Sequence, residues 1–160
     1  MEGFLETQGN YVEGKYLTFL LDDQSFAVPI SDVVQIIGIQ PITPIPELPD
    51  YAKGIINLRG SILPVIDLNL RFGREETQYS ERTCIIVINI FSVYMGFIVD
   101  AVDEVTDIPA QDIKPPPKVS REESSNYISG IGKRDIRVTL VLNTARILSD
   151  TAFARINNGV

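Results

Sequence analysis

The sequence predicts a mainly β protein made of two small, similar barrels packed against each other, and three observations carry that expectation. First, short apolar runs rich in Ile, Val and Leu alternate with polar turns from Lys15 to Leu142, the pattern of buried strands joined by hairpins. Second, the chain echoes itself. Tyr51, Gly54 and Ile55 return as Tyr127, Gly130 and Ile131, each 76 positions later, and Val65-Ile66-Asp67 returns as Val141-Leu142-Asn143 at the same offset. A looser echo sets Ile30, Val33 and Ile36 against Val102, Val105 and Ile108, at an offset of 72. Third, a chain of 160 residues gives each repeat too little apolar surface to stand alone, so the two must share a core.

Taken in order, residues 1–14 mix Glu, Gly, Gln and Asn and read as a tail. Lys15–Leu21 is an expected strand, Asp22-Asp23-Gln24-Ser25 a polar turn, and Phe26–Pro29 a second strand. Ile30, Val33 and Ile36 then recur every third residue behind Ser31-Asp32, which predicts one helical turn, capped by those residues, running into a strand. Residues 40–50 carry Pro41, Pro44, Pro46 and Pro49 between Ile42, Ile45 and Leu48. Proline at that density excludes helix and holds the loop extended. Its apolar side chains suit a docking surface or a cover for the loop's own barrel equally well.

The centre of the chain is the hairpin Gly54–Leu58, Arg59-Gly60, Ser61–Leu68. Gly60 supplies the freedom a tight turn needs. Pro64, which has no N–H to give a ladder, predicts an edge position or a bulge. Asp67 is placed to cap a short helix over 68–72 that Gly73 ends. On its chemistry Arg59 is a solvated turn residue. After the polar loop 74–81 come a hairpin over Cys84–Val99, a repeat of the three-residue spacing over 101–108, a long exposed loop over 109–126, strands over 127–131 and 136–142, and a helix from Thr144 capped by Asn143. The expected folded unit is 15–150, with one lobe over about 15–80, the other over about 81–150, and strand exchange at the junction left open. Residues 151–160 read as a tail.

Composition narrows the function. With 14 basic and 21 acidic side chains the net charge is −7, the wrong sign for contacting phosphates, so nucleic acid is not an expected partner. No apolar run reaches the roughly 20 residues that span a bilayer, and the acidic N-terminus lacks the basic-then-apolar order of a signal peptide. A cytoplasmic protein with no direct membrane insertion is expected. There is no histidine, which removes the commonest general base and metal ligand. Cys84, the single cysteine, lies in an apolar run and reads as a buried hydrophobe. Phosphate-binding and dinucleotide motifs are absent. The carboxylate pairs Asp22-Asp23, Glu75-Glu76 and Glu122-Glu123 read as solvated turn charges, and Asp100, Asp103 and Glu104 as turn and capping groups. No catalytic residue, metal or cofactor is expected. Against this, a small barrel could bind a metabolite or oligonucleotide, or loop carboxylates could serve a hydrolase.

Gly54-Ile55-Ile56-Asn57-Leu58-Arg59-Gly60 followed by Pro64-Val65-Ile66-Asp67-Leu68, with Phe26-Ala27-Val28 before it and Gly96-Phe97-Ile98-Val99-Asp100 after it, resembles the CheW family of bacterial chemotaxis coupling proteins over about residues 15–150. The resemblance implies two lobes of SH3-like five-stranded barrels. It also implies a non-enzymatic adaptor joining the regulatory domain of a CheA-type histidine kinase to the cytoplasmic tips of chemoreceptors. Under it, Leu17, Val28, Ile30, Val33 and Val99 would meet the receptor helix, assisted by Arg59. The kinase would dock on Ile42, Ile45, Leu48, Leu58 and Gly60. A glutamate common in the family is Gln35 here, which puts a charged contact at that point in doubt.

Overall fold

Three hairpins turn on residue pairs that both adopt positive φ: Asp22-Asp23 (51° and 66°), Arg59-Gly60 (54° and 89°) and Phe91-Ser92 (52° and 66°). Such turns match the right-handed twist of the strands they join. They connect β1 (Lys15–Leu21) to β2 (Gln24–Pro29), β4 (Ala52–Leu58) to β5 (Ser61–Asp67), and β6 (Cys84–Ile90) to β7 (Val93–Val99). At the central turn, Asn57 Oδ1 accepts the Gly60 N–H at 2.8 Å and holds Arg59 in its left-handed conformation. The computed structural model describes residues 14–116, 127–134 and 136–151. Its remaining elements are β3 (Val33–Gly38), α1 (Leu68–Arg71), β8 (Ala101–Asp107), β9 (Ile113–Lys114), β10 (Ile128–Arg134), β11 (Arg137–Leu142) and α2 (Thr144–Ser149), with 3₁₀ turns at Ile30–Asp32 and Ala110–Asp112.

The strands form a six-stranded sheet, ordered β8-β1-β2-β11-β10-β9, and a five-stranded sheet, ordered β3-β6-β7-β5-β4. A boundary near residue 80 therefore divides the sequence but not the sheets. The β1–β2 hairpin sits among strands from the second half, and the β6–β7 hairpin among strands from the first. The two sheets repeat one topology. Each inserted hairpin is flanked by a lone strand and by a parallel partner: Val141 stands opposite Ala27 in one sheet and Val65 opposite Gly96 in the other. The six-stranded sheet adds β9, and the isolated bridge Thr43–Ile55 takes the corresponding place beside β4.

This pairing corrects the looser echo. Val33 pairs with Ile88 and Gln35 with Val87, and Val102 pairs with Phe19 and Glu104 with Thr18. The equivalence thus runs at an offset of 69 rather than 72, and 101–108 holds a strand where a helical turn was expected. In both cases one residue is bulged out of the ladder, Val34 in β3 and Asp103 in β8. Pro64 is not on an edge strand, since β5 lies between β4 and β7. Pairing with β7 begins only at Val65, so the missing N–H falls outside that ladder.

Strand alternation divides the apolar residues between two cores. Ile86 and Ile88 of β6 join Leu17, Phe19, Phe26, Val28, Phe97 and Val99 in a large core shared by both sheets. Ile85 and Val87, facing the other way, join Ile56, Leu63, Val65 and Ile98 inside the five-stranded lobe. An aromatic row, Phe19–Phe26–Phe72–Tyr127, crosses the shared core with ring centroids 5.7–6.1 Å apart. The Arg71 guanidinium lies between Tyr51 and Tyr127, 4.5 and 4.7 Å from their ring centroids, and donates to the Tyr127 hydroxyl. Asp67 and Asn143 cap α1 and α2 by accepting the N–H groups of Leu70 and Arg146. The Gly14 carbonyl accepts the Ile108 N–H, and Thr151, just after α2, is buried.

Candidate functional site

Where the five-stranded sheet opens, the bulged Val34 and its neighbour Gln35 face the β4–β5 and β6–β7 turns across a depression of about 440 Å³. Leu58, Arg59, Ser61, Ile62 and Leu63 line it from the central hairpin, Val87 from β6, Ser92 from the β6–β7 turn and Tyr94 from β7. Leu63 and Val87 belong to the lobe's own core, so the floor is the barrel interior seen from its open end. Arg59 is the one charged residue of the lining. Ile62 and Tyr94 leave 45% and 39% of their surface in solvent, and Phe91, at the turn next to this mouth, leaves 87%. Phe91 holds a positive φ of 52°, a conformation an aromatic residue seldom adopts outside a tight turn.

The residues expected to meet the kinase and the receptor fall into different environments. Leu58 lines the mouth, and the exposed Gly60 stands at its hairpin turn beside Arg59. Ile42 packs against the core of the five-stranded lobe and Leu48 against the shared core, while Ile45 is half-buried. The proline loop thus covers its own barrel while its prolines face solvent. Leu17, Val28, Ile30, Val33 and Val99 are all buried, at 1%, 0%, 5%, 8% and 0% exposure. All five belong to the shared core: strand alternation turns Leu17, Val28, Val33 and Val99 toward the opposite sheet, and Ile30 enters it from the first 3₁₀ turn. None of the five lines the mouth where Arg59 sits. Val34, Ile62, Tyr94 and Phe91 escaped sequence reasoning. At the offset of 69, Val34 and Tyr94 stand against Asp103 and Ser25, a contrast that marks the five-stranded mouth as apolar.

The polar groups have structural employment. Among the described residues no cluster of His, Cys, Asp or Glu is arranged to hold a metal. Asp100 accepts from the Asp22 N–H at 2.7 Å and from Asn69 Nδ2 at 2.8 Å, and Glu76 pairs with Lys53 at 2.9 Å. Burial, its donation to Asp67 at 2.8 Å and that carboxylate's charge hold the Tyr79 phenol well above its ordinary value. Cys84 is half-buried at the start of β6 rather than in a strand core, and burial pushes its thiol up.

Asp32 was expected as a cap but instead accepts the Thr144 hydroxyl at 2.8 Å, tying the first 3₁₀ turn to α2. Burial raises its carboxyl above 3.8, and the Thr144 bond opposes this more weakly. A raised folded-state pKa means that the group's contribution is full below 3.8 and fades as pH rises through the folded value. Asp32→Asn keeps an acceptor for Thr144 and removes the titration. The Tm of the native chain minus that of the variant is therefore expected to be greatest near pH 3.5 and to fall to a plateau by neutrality. Paired melting curves across that range check it, and a flat difference would remove the assignment.

The comparisons with known proteins agree on one relationship. Residues 15–152 match the family described as the CheW-like domain. The chain is 32% identical over 150 residues to the chemotaxis protein CheW of Klebsiella aerogenes, covering 94% of this chain and 90% of that one. It is 29% identical over 119 residues to the protein FrzA of Myxococcus xanthus, covering 74% of each. Among solved structures, it superposes on the scaffolding protein TtCheW from Thermoanaerobacter tengcongensis with a TM-score of 0.76 and 38% identity, covering 81% of this chain and 88% of that one.

Proposed function

The chain belongs to the CheW-like family of chemotaxis scaffold proteins, and from that premise we propose that it couples a CheA-type histidine kinase to chemoreceptor tips by holding both on separate surfaces. The observation that supports this most is the open apolar mouth of the five-stranded lobe, with Arg59 as its single charge. Such a depression suits a partner's apolar loop or strand end, with a few well-packed side chains carrying the affinity. In this reading the kinase regulatory domain docks there, with Leu58 on the floor, Gly60 leaving the rim low enough for close approach, and Ile42, Ile45 and Leu48 supporting the flank. Arg59 orients the partner at the rim. The receptor helix lies over the seam where Ile30 and Val33 keep 5% and 8% exposure, with Leu17, Val28 and Val99 beneath holding that row in place. The chain acts as a scaffold and not as a catalyst.

Titration calorimetry with a purified CheA-type regulatory domain and, separately, a soluble receptor-tip fragment tests this. Leu58→Glu places a charge in the mouth and is expected to weaken regulatory-domain binding by roughly 30-fold or more. Receptor-fragment binding should stay within about twofold, since that surface is separate. Folded native protein that binds neither component would overturn the reading and leave a small apolar ligand as the mouth's occupant.

A further inference from the structure

The chain passes from one sheet to the other at two points. It leaves β2 for β3 through the 3₁₀ turn Ile30–Asp32, and it leaves β7 for β8 at Asp100. Each passage is hooked by a carboxylate to a helix. Asp100 accepts from Asn69 Nδ2 of α1 at 2.8 Å. Asp32 accepts the hydroxyl of Thr144, the first residue of α2, also at 2.8 Å and across 112 positions of sequence. The fastening is unequal. Asp100 further accepts the Asp22 N–H at 2.7 Å and gives its own N–H to the Leu20 carbonyl at 3.1 Å. The turn Ile30–Asp32 is closed by the Val33 N–H on the Ile30 carbonyl and has no side-chain cap. A single turn of this kind has no stability of its own, so its place depends on what it is tied to.

Resting on the receptor-docking reading above, we propose that Asp32 is a positioning residue: through Thr144 it sets the first passage against α2, so that Ile30 and Val33 stand in one row for the receptor helix. Ile30 opens the turn and Val33 closes it. Both pack in the shared core that also takes Ile147 and Leu148 of α2, so α2 is the backing on which the turn rests. Thr144 is buried and Asp32 is half-buried. A carboxylate in that setting that loses its donor gains by turning toward water, and a turn of three residues moves with its side chain. Recognition of a helix in a groove depends on anchors held in register, which such a movement spoils. The bulge at Val34 separates Val33 from the regular ladder that resumes at Gln35. A displacement of the turn is therefore absorbed there and does not pass along β3.

Calorimetry at a temperature where circular dichroism finds each variant folded tests this, with a soluble receptor-tip fragment and, separately, a CheA-type regulatory domain. Thr144→Val removes the hydroxyl and is expected to weaken receptor-fragment binding roughly tenfold, while regulatory-domain binding stays within about twofold. Thr144→Ser, which keeps a donor, and Asp32→Asn, which keeps an acceptor, should both stay within about threefold of the native chain for the receptor fragment. A lower stability alone leaves the affinity of folded protein for both partners unchanged, so the split between them is the mark of positioning. A folded Thr144→Val variant that binds the receptor fragment as the native chain does, or that loses both partners alike, overturns this proposal and leaves the docking reading standing. If Thr144→Val does not fold, an Asp32→Ala variant that binds the fragment as tightly as Asp32→Asn does the same. A native chain that binds no receptor fragment overturns the receptor-docking reading, and this proposal falls with it.

Discussion

Gly54→Ala is expected to lose about 4 kcal/mol of folding stability, adding roughly 1–3 for overpacking to a similar backbone cost. Gly54 sits at φ 139°, and an added Cβ would overlap the Thr43 carbonyl oxygen while lying 2.7 Å from its carbon and 2.9 Å from the Pro44 Cα. The obstacle is backbone that is itself pinned, because Thr43 and Ile55 exchange hydrogen bonds of 2.9 Å in both directions. A flexible side chain could swing away, but this bridge cannot without releasing the proline loop from the barrel. Typical domains have only about 5–15 kcal/mol in hand, so the variant should melt far earlier. Gly60→Ala is the control. Gly60 also has positive φ, at 89°, but its Cβ would meet nothing within 4 Å, so only a backbone cost of about 1 kcal/mol applies. Urea midpoints at matched m-values separate the two, and equal shifts would show that the approach of Thr43 does not matter.

Arg71→Ala is expected to cost about 2–4 kcal/mol through the loss of two cation–π contacts and a partly buried hydrogen bond. The guanidinium stacks between Tyr51 and Tyr127, residues at equivalent places in the two repeats. The Tyr51 carbonyl accepts the Asp67 N–H and the Tyr127 carbonyl accepts the Asn143 N–H, at 2.8 and 2.7 Å. Arg71 thus joins the repeats at their shared centre. Its own equivalent, 76 positions on, is the fully buried Ile147. Arg71→Met keeps much of the packing and gives up the charge, so it should recover about half of the loss. A Met variant as stable as the native chain in thermal melts would assign the effect to volume rather than to the cation.

The parts of the fold that were legible in the sequence are the local ones. The polar or glycine-bearing pairs Asp22-Asp23 and Arg59-Gly60 name their turns, and Asp67 and Asn143 announce the helices they cap, because each signal is complete within four residues. The 76-residue echo showed two similar lobes, since Tyr51 and Tyr127 recur with their glycines. Partner choice between strands was not legible. The alternation that makes β1 a strand is satisfied equally by either sheet, so the exchange of hairpins appears only when the long-range pairs are known. The same ambiguity surrounds Leu17, Val28, Ile30, Val33 and Val99, all of which join the shared core. A row of branched residues reads alike whether it faces a partner or another sheet of the same chain. The mouth was half legible, through Leu58, Arg59 and Gly60, while Val34 depended on a bulge that no local signal encodes.

The exchanged hairpins also set a timetable for biosynthesis. β2 must wait for β11 before its second edge is covered, and Ser25 and Thr139 are 114 residues apart. At a translation rate of about 5–20 residues per second, the N-terminal hairpin stands on the emerging chain for roughly 6–23 s with the β2 edge that β11 will take unpaired. A ribosome that stalls anywhere before residue 137 would release a chain in which that edge of β2 has no partner. Prematurely ended products of this gene should therefore be chaperone clients or protease substrates rather than half-folded adaptors, which keeps incomplete copies from occupying the full-length protein's partners.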